Sequence, residues 1–206
     1  MPAIALLVDF DGVLRRWSAD DAQIEQRCGL PTGAIRRVAF SPNLLLPAIT
    51  GAVSDEAWRQ GAATELQKQY PDSSAYEAIA QWSSAAGEVD SEVMAVLSRC
   101  RPGLRLILAT NATTRLADDL RSLDLSNYFY EVANSSELKA TKPSIEYFRA
   151  ALSRAGARAD EALFVDDTHS NVEAAAAIGI LAHHFTGHEA LSQFLGEAGA
   201  LSENAL

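Results

Sequence analysis

The sequence contains only two cysteines, Cys28 and Cys100, which lie far apart. This scarcity excludes a disulfide framework and a zinc ribbon, and it fits a reducing compartment. No apolar run approaches the roughly 20 residues that a membrane-spanning helix needs. The apolar start, Met1 to Phe10, lacks a basic leader and a cleavage site. We therefore expect a soluble cytoplasmic protein.

Basic residues are also scarce. Lysine and arginine number 17 against 27 aspartates and glutamates, so the formal net charge is -10 at pH 7. Such a charge repels nucleic-acid phosphates and anionic lipid surfaces. We therefore expect no nucleic-acid partner and no membrane partner, and the choice between a monomer and a homodimer stays open.

Hydrophobic residues, in contrast, make up 48% of the 206 residues, enough for one sizeable core and a small accessory domain. Five short apolar runs indicate buried strands: Ile4 to Val8, Leu104 to Ala109, Tyr130 to Ala133, Leu163 to Val165 and Leu181 to Phe185. Stretches with helical period separate the later runs: Thr113 to Leu123, Ser144 to Ala155 and Ser170 to Ile178. This alternation predicts an α/β fold, a Rossmann-like doubly wound parallel sheet.

The interval 16–87 breaks the alternation, because it has helical segments and no convincing strand. The predicted helices, Ser18 to Arg27, Ser54 to Tyr70 and Ser73 to Ser84, each start with a serine, a common N-cap residue. A further helix, Ser91 to Cys100, belongs to the core. We therefore predict a core domain of residues 1–15 and 88–206 with an inserted helical cap domain, residues 16–87.

Two features of this insert bear on function. The segment Phe40 to Ile49 is too apolar for an ordinary loop, and its two prolines argue against a single helix. It could be cap core, a lid over a substrate or a dimer surface, in that order. Trp17, Trp58 and Trp82 all lie in the insert, where filling a small helical core explains them better than stacking on a ligand.

The first apolar run ends in Asp9-Phe10-Asp11-Gly12. Both carboxylates follow a buried strand, and Gly12 permits a tight turn. Strand alternation places Asp9 and Asp11 on one face, where a divalent cation or a shared proton relieves their repulsion. Mg²⁺, a hard cation with oxygen ligands, suits them. The same four residues are also typical of a strand that ends in an Asp-Gly turn.

Polar residues follow the later runs as well. Thr110 and Asn111 can hydrogen-bond to a phosphate oxygen, or they can cap the next helix. Lys142, one of only three lysines, precedes a proline at a helix start. It offers a positive charge to a phosphoryl group, although a lysine in such a place is ordinarily a solvated surface residue.

The run Leu163 to Val165 ends in two adjacent acids, Asp166 and Asp167. Carboxylates in such a place are costly unless paired, so they indicate a cation site, with helix capping as the alternative. In a parallel sheet the strand ends gather on one edge, where such folds bind ligands. We expect four strand ends to bring Asp9, Asp11, Thr110, Lys142 and the two later acids together there.

The order of these motifs resembles the four motifs of haloacid dehalogenase-like (HAD) hydrolases. Asp-Phe-Asp-Gly comes first, then Thr-Asn, then Lys-Pro, then Asp-Asp with Asn171 and an Ala-rich helix to Gly179. The insert between the first two motifs is similar to the helical cap called type C1. Gly51 to Trp58 and Ser135-Ser136-Glu137 resemble the subgroup of the soluble epoxide hydrolase N-terminal phosphatase and bacterial sugar-phosphate phosphatases.

The resemblance implies a phosphatase acting on a small phosphorylated molecule. Asp9 would attack phosphorus and form an aspartyl-phosphate, and Asp11 would serve as general acid and base. Mg²⁺ would be held by Asp9, Asp167 and the backbone carbonyl of Asp11, with Asp166 tuning the site from beside it.

The resemblance also implies a phosphate-binding set. Thr110 and Lys142 would clamp the equatorial oxygens, with Asn111 beside them, and Lys142 would also help to keep Asp9 ionised. A dehalogenase would need neither Asp11 nor a metal, so Asp11 argues against that alternative. A phosphomutase and a non-catalytic binding protein of the same fold stay open, because cap closure cannot be derived from the sequence and a fold does not determine function.

Overall fold

The computed structural model of the protein describes residues 2–17 and 20–202. Its strands are β1 Ala5–Val8, β2 Arg15–Arg16, β3 Glu88–Val89, β4 Arg105–Thr110, β5 Glu131–Asn134, β6 Ala162–Asp166 and β7 Leu181–His184. Five of them form a parallel sheet in the order β5-β4-β1-β6-β7. The predicted doubly wound parallel sheet is confirmed.

The helices in the described residues precede, separate and follow these strands. They are α1 Asp21–Arg27, α2 Ala34–Ala39, α3 Pro42–Ile49, α4 Asp55–Gln69, α5 Ala75–Trp82, α6 Ser91–Ser98, α7 Leu116–Ser122, α8 Ser135–Leu138, α9 Ile145–Ala155, α10 His169–Ala177 and α11 His188–Glu197, with a 3₁₀ turn at Ala159–Glu161. None of them is long and apolar enough to cross a bilayer.

The central position of β1 in the sheet explains why the whole strand is apolar. Leu6 and Val8 belong to one apolar cluster, packed by α6, α7 and α11, while Ala5 and Leu7 belong to a second, packed by α9 and α10. Helices thus cover both faces of the sheet, so a buried parallel strand shows no polar alternation. Val8 pairs with Leu108 on one side and Val165 on the other, which places the next residues, Asp9 and Asp166, side by side.

Helices α1 to α5 lie between β2 and β3 and pack around an apolar cluster of their own. Ile35, Trp58, Leu66 and Ile79 are buried in it. β2 and β3 form a short antiparallel ladder where the chain leaves the sheet for this helical insert and where it returns. The predicted boundaries at residues 16 and 87 fall at that ladder. The division into two domains stays a prediction.

Serine N-caps agree with the structure in part. Ser54 caps α4 by accepting a hydrogen bond from the backbone N–H of Ala57. The predicted start at Ser18 lies outside the described residues. The helix predicted from Thr113 begins only at Leu116, because the hydroxyls of Thr113 and Thr114 bond instead to Asp55 of the insert.

The prediction that prolines prevent one helix in Phe40 to Ile49 is wrong. α3 runs from Pro42 to Ile49 with Pro47 inside it. Pro42 occupies the first turn, where its missing N–H needs no partner. Pro47 removes only one bond of a short helix, and burial of Ala48 with partial burial of Leu44 and Leu45 against the cluster of the insert outweighs that loss.

We expect Gly51→Ala to destabilise the protein more than Gly33→Ala. Both glycines have positive φ, +64° and +81°, so alanine strains either position by roughly 1–2 kcal/mol. A Cβ at Gly51 would also lie 2.2 Å from the carbonyl oxygen of Ser136, whereas a Cβ at Gly33 meets nothing within 4 Å. Relief of this clash requires the insert to move away from the core, which should add about 1–3 kcal/mol to the stability loss of Gly51→Ala. Urea unfolding measures both losses, and equal losses would contradict this account.

Candidate active site

Three carboxylates meet at the carboxyl edge of the sheet. One oxygen from each of Asp9, Asp166 and Asp167 lies within 4.8 Å of the others. Asp9 and Asp166 are buried, while Asp167 is exposed. The pairing of β1 with β6 causes this juxtaposition, since Val8 pairs with Val165 and the acids come next in both chain segments. These predicted residues are therefore brought together.

Lys142 is buried among the same groups. Its Nζ lies 2.6 Å from Asp9 Oδ1 and 2.6 Å from Asp166 Oδ2, and it donates to the backbone carbonyl of Ala109 at 2.8 Å. An ammonium has three donors, so these partners use all of them. The expectation that a strand end supplies Lys142 holds only in part: α8 comes after β5, and Lys142 lies in the loop before α9.

The electrostatics of this cluster show an excess of negative charge. Burial raises the pKa of Asp9 to about 7, with Asp166 adding to the shift and Lys142 opposing it. Partial burial and the neighbouring Asp166 also raise the pKa of Asp167. Burial alone would lower the pKa of Lys142, but Asp9 and Asp166 outweigh it, so that pKa is raised. One ammonium therefore faces three carboxylates.

Asp166 is held rigidly by its surroundings. Its Oδ1 accepts from the backbone N–H of Thr168 at 2.8 Å and from Asn171 Nδ2 at 3.0 Å. Its Oδ2 accepts from Lys142 and, at 3.1 Å, from Asn171. These bonds occupy the Asp166 carboxylate, so Asp166 orients its neighbours.

Asp9 and Asp167 keep unused oxygens. Asp9 Oδ1 accepts from the N–H of Phe10 at 2.8 Å and from Lys142, whereas within residues 2–17 and 20–202 no group donates to Asp9 Oδ2. A Cβ at Gly12 would lie 2.0 Å from Asp167 Oδ2, so glycine allows this turn to approach Asp167. Excess charge and hard oxygen donors fit a cation such as Mg²⁺.

Asp11 is not part of this acidic cluster. Its carboxylate accepts from Arg15 Nε at 2.8 Å, from Arg15 Nη2 at 3.0 Å and from Trp17 Nε1 at 2.7 Å. The expectation that Asp9 and Asp11 share a face by strand alternation fails, because β1 ends at Val8 and Asp11 lies in a turn with Gly12 at φ +88°. Ligation of Mg²⁺ by the backbone carbonyl of Asp11 stays a prediction.

Sequence reasoning missed Arg15. It is buried, donates to Asp119 Oδ2 at 2.7 Å as well as to Asp11, and stacks on the rings of Phe10 and Trp17 at 4.2 and 4.3 Å. The useful signal was the spacing of four residues between Asp11 and Arg15. A cation so close to a candidate acid indicates that it orients that acid.

Thr110 is buried at the end of β4, at the predicted edge. The contacts of Asn111 differ from the predicted ones. Its side-chain oxygen accepts from the backbone N–H of Lys142 and its amide donates to the Lys142 carbonyl, both at 2.9 Å. Asn111 therefore holds the loop that presents Lys142, and phosphate binding by Asn111 stays a prediction.

A cavity of about 550 Å³ opens between the helical insert and the edge of the sheet. Its core side includes Asp11, and all three tryptophans line it. Trp58 and Trp82 pack with the cluster of the insert, as predicted. Trp17 does not, because it is exposed and bonded to Asp11.

The segment Phe40 to Ile49 agrees with the first of its three alternative predictions, a place in the core of the insert. Ala48 is buried in the cluster of the insert, so part of the segment is cap core. Phe40, Leu45 and Ile49 line the cavity, and their use as a lid stays a prediction. The predicted dimer surface stays a prediction.

The chain resembles curated proteins over about half of its length. Phosphoglycolate phosphatase of Salmonella typhimurium is 37% identical over 103 residues, which span 49% of this chain and 39% of that protein. The aligned region thus spans well under half of that relative.

Solved structures resemble the fold. A HAD family enzyme of Bacteroides thetaiotaomicron, solved with magnesium and inorganic phosphate, has a TM-score of 0.69 at 21% identity, with 88% of this chain and 93% of that one covered. L-2-haloacid dehalogenase of Xanthobacter autotrophicus has a TM-score of 0.66 at 20% identity, with 98% and 86% covered. The haloacid dehalogenase-like hydrolase family matches residues 5–179. The chain therefore belongs to the haloacid dehalogenase-like hydrolase family.

Proposed function

We propose that this hydrolase is a Mg²⁺-dependent phosphatase that cleaves monoesters of a small molecule through an aspartyl-phosphate on Asp9. The observation that carries the proposal is the hydrogen bonding of the Asp9 carboxylate. Its Oδ1 is held by Lys142 and the N–H of Phe10, while no group in the described residues donates to its Oδ2. A carboxylate fixed on one oxygen and open on the other is arranged as a nucleophile.

The chain's own residues support the first step. Asp9 Oδ2 would attack phosphorus and displace the alcohol, so the P–O bond to the alcohol breaks as the acyl-phosphate bond forms. Ionisation of Asp9 is required, and Lys142 favours it at 2.6 Å. With its three donors already used, Lys142 acts mainly on Asp9, so a direct clamp on the phosphate would require Lys142 to exchange a partner.

Asp11 would give its proton to the leaving oxygen and then take one from the water that hydrolyses the aspartyl-phosphate. It lies beside the cavity, where the leaving alcohol would be. Arg15 and Trp17 would position it by holding both carboxylate oxygens. Proton transfer then requires Asp11 to release at least one of these bonds.

Asp9, Asp167 and the backbone carbonyl of Asp11 would hold Mg²⁺, with Asp166 orienting Lys142 beside them. When bound, Mg²⁺ supplies charge neutralisation between the carboxylate and the phosphate and stabilises the negative charge that develops. Thr110, at the end of β4, would bind a phosphate oxygen with the backbone N–H groups that follow it.

The helical insert would act as the cap over the reacting groups, with its predicted limits at residues 16 and 87. It walls the cavity opposite Asp11, so a bound ester would be shielded from water on that side. Assignment to the type C1 cap and to the sugar-phosphate phosphatase subgroup stays a prediction, as does a cytoplasmic location.

The test is steady-state phosphate release from a panel of monoesters, with Mg²⁺ and with a chelator. We expect turnover that depends on Mg²⁺ and returns when the metal is restored. Including 2-chloropropionate in the panel separates the dehalogenase alternative, which predicts chloride release without metal. Folded protein that turns over no ester under any metal condition would overturn the proposal.

Mg²⁺ should raise the melting temperature more at about pH 8 than at about pH 6. Without the cation, burial raises the pKa of Asp9 from 3.8 to about 7. The contribution of Asp9 to stability is thus present below pH 3.8 and is lost as the pH rises through about 7. Below pH 7 the cation must displace a proton, whereas above it Asp9 is already ionised.

Thermal unfolding with and without Mg²⁺ measures this shift. The matched control is Asp167→Asn, which removes one exposed ligand without touching the core and should abolish most of the Mg²⁺ effect. A Mg²⁺ shift that is larger at the lower pH, or unchanged in Asp167→Asn, would contradict the assigned site.

A further inference from the structure

The cavity beside Asp11 has a wall that is unusually rich in aromatic carbon. Phe40, Trp58 and Trp82 form a cluster in which ring centroids lie 5.8 to 6.2 Å apart, with tilted or edge-on contacts. All three rings line the cavity. Ile24, Leu45 and Ile49 extend the same apolar surface.

The polar atoms of two tryptophans are already satisfied. Trp58 Nε1 donates to the backbone carbonyl of Ala39 at 2.9 Å, and Trp17 Nε1 donates to Asp11. Neither N–H is therefore free for a ligand. What these side chains offer to a bound molecule is ring surface, which favours an apolar or aromatic group.

The charges in the wall are compensated within the wall. Each of its four arginines forms an ion pair with a lining aspartate: Arg15 with Asp11 and Asp119, Arg36 with Asp21, Arg59 with Asp55 and Arg115 with Asp119. Among the described residues, the lining contains five aspartates against these four arginines. A second anionic group on a substrate would have to displace an aspartate from its arginine, and it would lie close to apolar rings that cannot solvate it.

The size of the cavity also favours a leaving group larger than a two-carbon acid. Its volume, about 550 Å³, lies in the range of pockets that enclose a ligand larger than a two-carbon acid. Glycolate, the leaving group of 2-phosphoglycolate, would leave most of the aromatic surface uncovered. It would also bring a carboxylate to a wall whose described arginines are already paired.

We propose that the cavity selects phosphate monoesters whose leaving group is an uncharged alcohol bearing an aromatic ring. This inference rests on the proposed phosphatase function and narrows it. The phosphate would sit at Asp9, the leaving oxygen would face Asp11, and the ring would pack against Phe40, Trp58 and Trp82. The inference predicts slow hydrolysis of 2-phosphoglycolate, although relatives at 37% identity are named phosphoglycolate phosphatase.

The first experiment compares kcat/KM for alkyl esters on the full chain with Mg²⁺. 2-Phenylethyl phosphate should exceed 2-phosphoglycolate by at least about 100-fold. Both are esters of alcohols, so the reactivity of the leaving group does not decide the result. A preference for 2-phosphoglycolate or for glycerol 3-phosphate would overturn the inference and leave the phosphatase function standing.

A matched pair of variants tests the aromatic wall. Phe40 lines the cavity and is 43% exposed, whereas Tyr76 is 47% exposed on the same insert and lies outside the cavity. Phe40→Ser should lower kcat/KM for 2-phenylethyl phosphate about 10-fold more than for ethyl phosphate. Tyr76→Ser should change neither value. Equal effects of Phe40→Ser on both esters would contradict the ring contact.

A binding measurement tests the aromatic ligand class separately from the phosphatase function. The chain has three tryptophans, and all of them line the cavity, so their fluorescence reports its occupancy. Benzylphosphonate, which cannot be hydrolysed, should change the emission and bind at least about 10-fold more tightly than phosphonoacetate. Selective binding of benzylphosphonate by a protein that hydrolyses no ester would reject the phosphatase function and retain the ligand class. Equal or weaker binding than phosphonoacetate would reject the ligand class.

Discussion

Replacing Asp9 by asparagine should lower phosphate release by at least about 1,000-fold while the protein stays folded. The amide has nearly the shape of the carboxylate and can still accept a hydrogen bond from Lys142, but it cannot attack phosphorus. The nucleophile is lost with little change in packing.

The same substitution should raise stability at alkaline pH. Because burial raises the pKa of Asp9 to about 7, the folded protein above that pH contains a costly buried anion. An asparagine side chain has no charge to bury, so metal-free Asp9→Asn should gain more unfolding free energy over wild type at about pH 8 than at about pH 5. Loss of activity together with a gain in stability is typical of a residue retained for chemistry.

Phosphate release and urea unfolding are measured on the same preparations. The control is Asp118→Asn, which removes an exposed carboxylate on α7 from its surface pair with Arg121 and should change both quantities little. If Asp9→Asn kept more than about a tenth of the activity, another group would have to be the nucleophile.

Replacing Lys142 by methionine should destabilise the metal-free protein by about 3–5 kcal/mol. Lys142 is buried between Asp9 and Asp166, at 2.6 Å from each. Removing the ammonium leaves two buried carboxylates without their cation, so their repulsion and desolvation are no longer offset. Phosphate release should also fall, since Asp9 loses the charge that favours its ionised form.

The stability loss should be larger at about pH 8 than at about pH 5. Without Lys142 the pKa of Asp9 rises further, and a raised folded-state pKa means a contribution to stability that disappears as pH increases. At the lower pH the carboxylate takes up a proton and the loss shrinks. Urea unfolding at the two pH values measures this trend.

Two comparisons make this prediction sharp. Lys68→Met removes an exposed lysine of the insert and should stay within about 0.5 kcal/mol of wild type. Adding Asp166→Asn to Lys142→Met should recover part of the loss, because one of the two uncompensated carboxylates is then gone. A loss in Lys142→Met no greater than that in Lys68→Met would show that the buried ion cluster does not form.

Much of the candidate site follows from local patterns. Short apolar runs located the five strands of the parallel sheet to within one residue, because strands buried on both faces are continuously apolar. The short strands β2 and β3 were not predicted. Asp9 directly follows β1 and Asp166 is the last residue of β6, so a parallel sheet places both acids at the same edge. The pairing of β1 with β6 then makes them neighbours. Lys142 was identified by its type and rarity, although its path to the site through α8 and a loop was not.

Side chains just beyond a strand end were not predictable in the same way. Asp11 lies in a turn, so strand alternation does not set the direction of its carboxylate, and the position of Arg15 decides it. Trp17 likewise donates to Asp11 instead of packing in the core of the insert. The path of α3 through Pro47 depended on how much apolar surface its other residues bury, a quantity that only the packed insert defines.

The sequence by itself determined the parallel sheet, the edge where the acids gather and the identity of the lysine that joins them. These features depend on periodicity and on the rule that parallel strand ends share an edge. Only the tertiary structure decided that Arg15 holds Asp11, that Asn111 holds the Lys142 loop, and that the arginines of the cavity wall are paired. The contacts of Asn111 with Lys142 and of Arg36 with Asp21 join residues distant in the chain, and the direction of the Asp11 carboxylate is set in a turn. The pairs Asp11–Arg15 and Arg115–Asp119 have a local spacing of four residues, but that spacing does not show that they line a cavity.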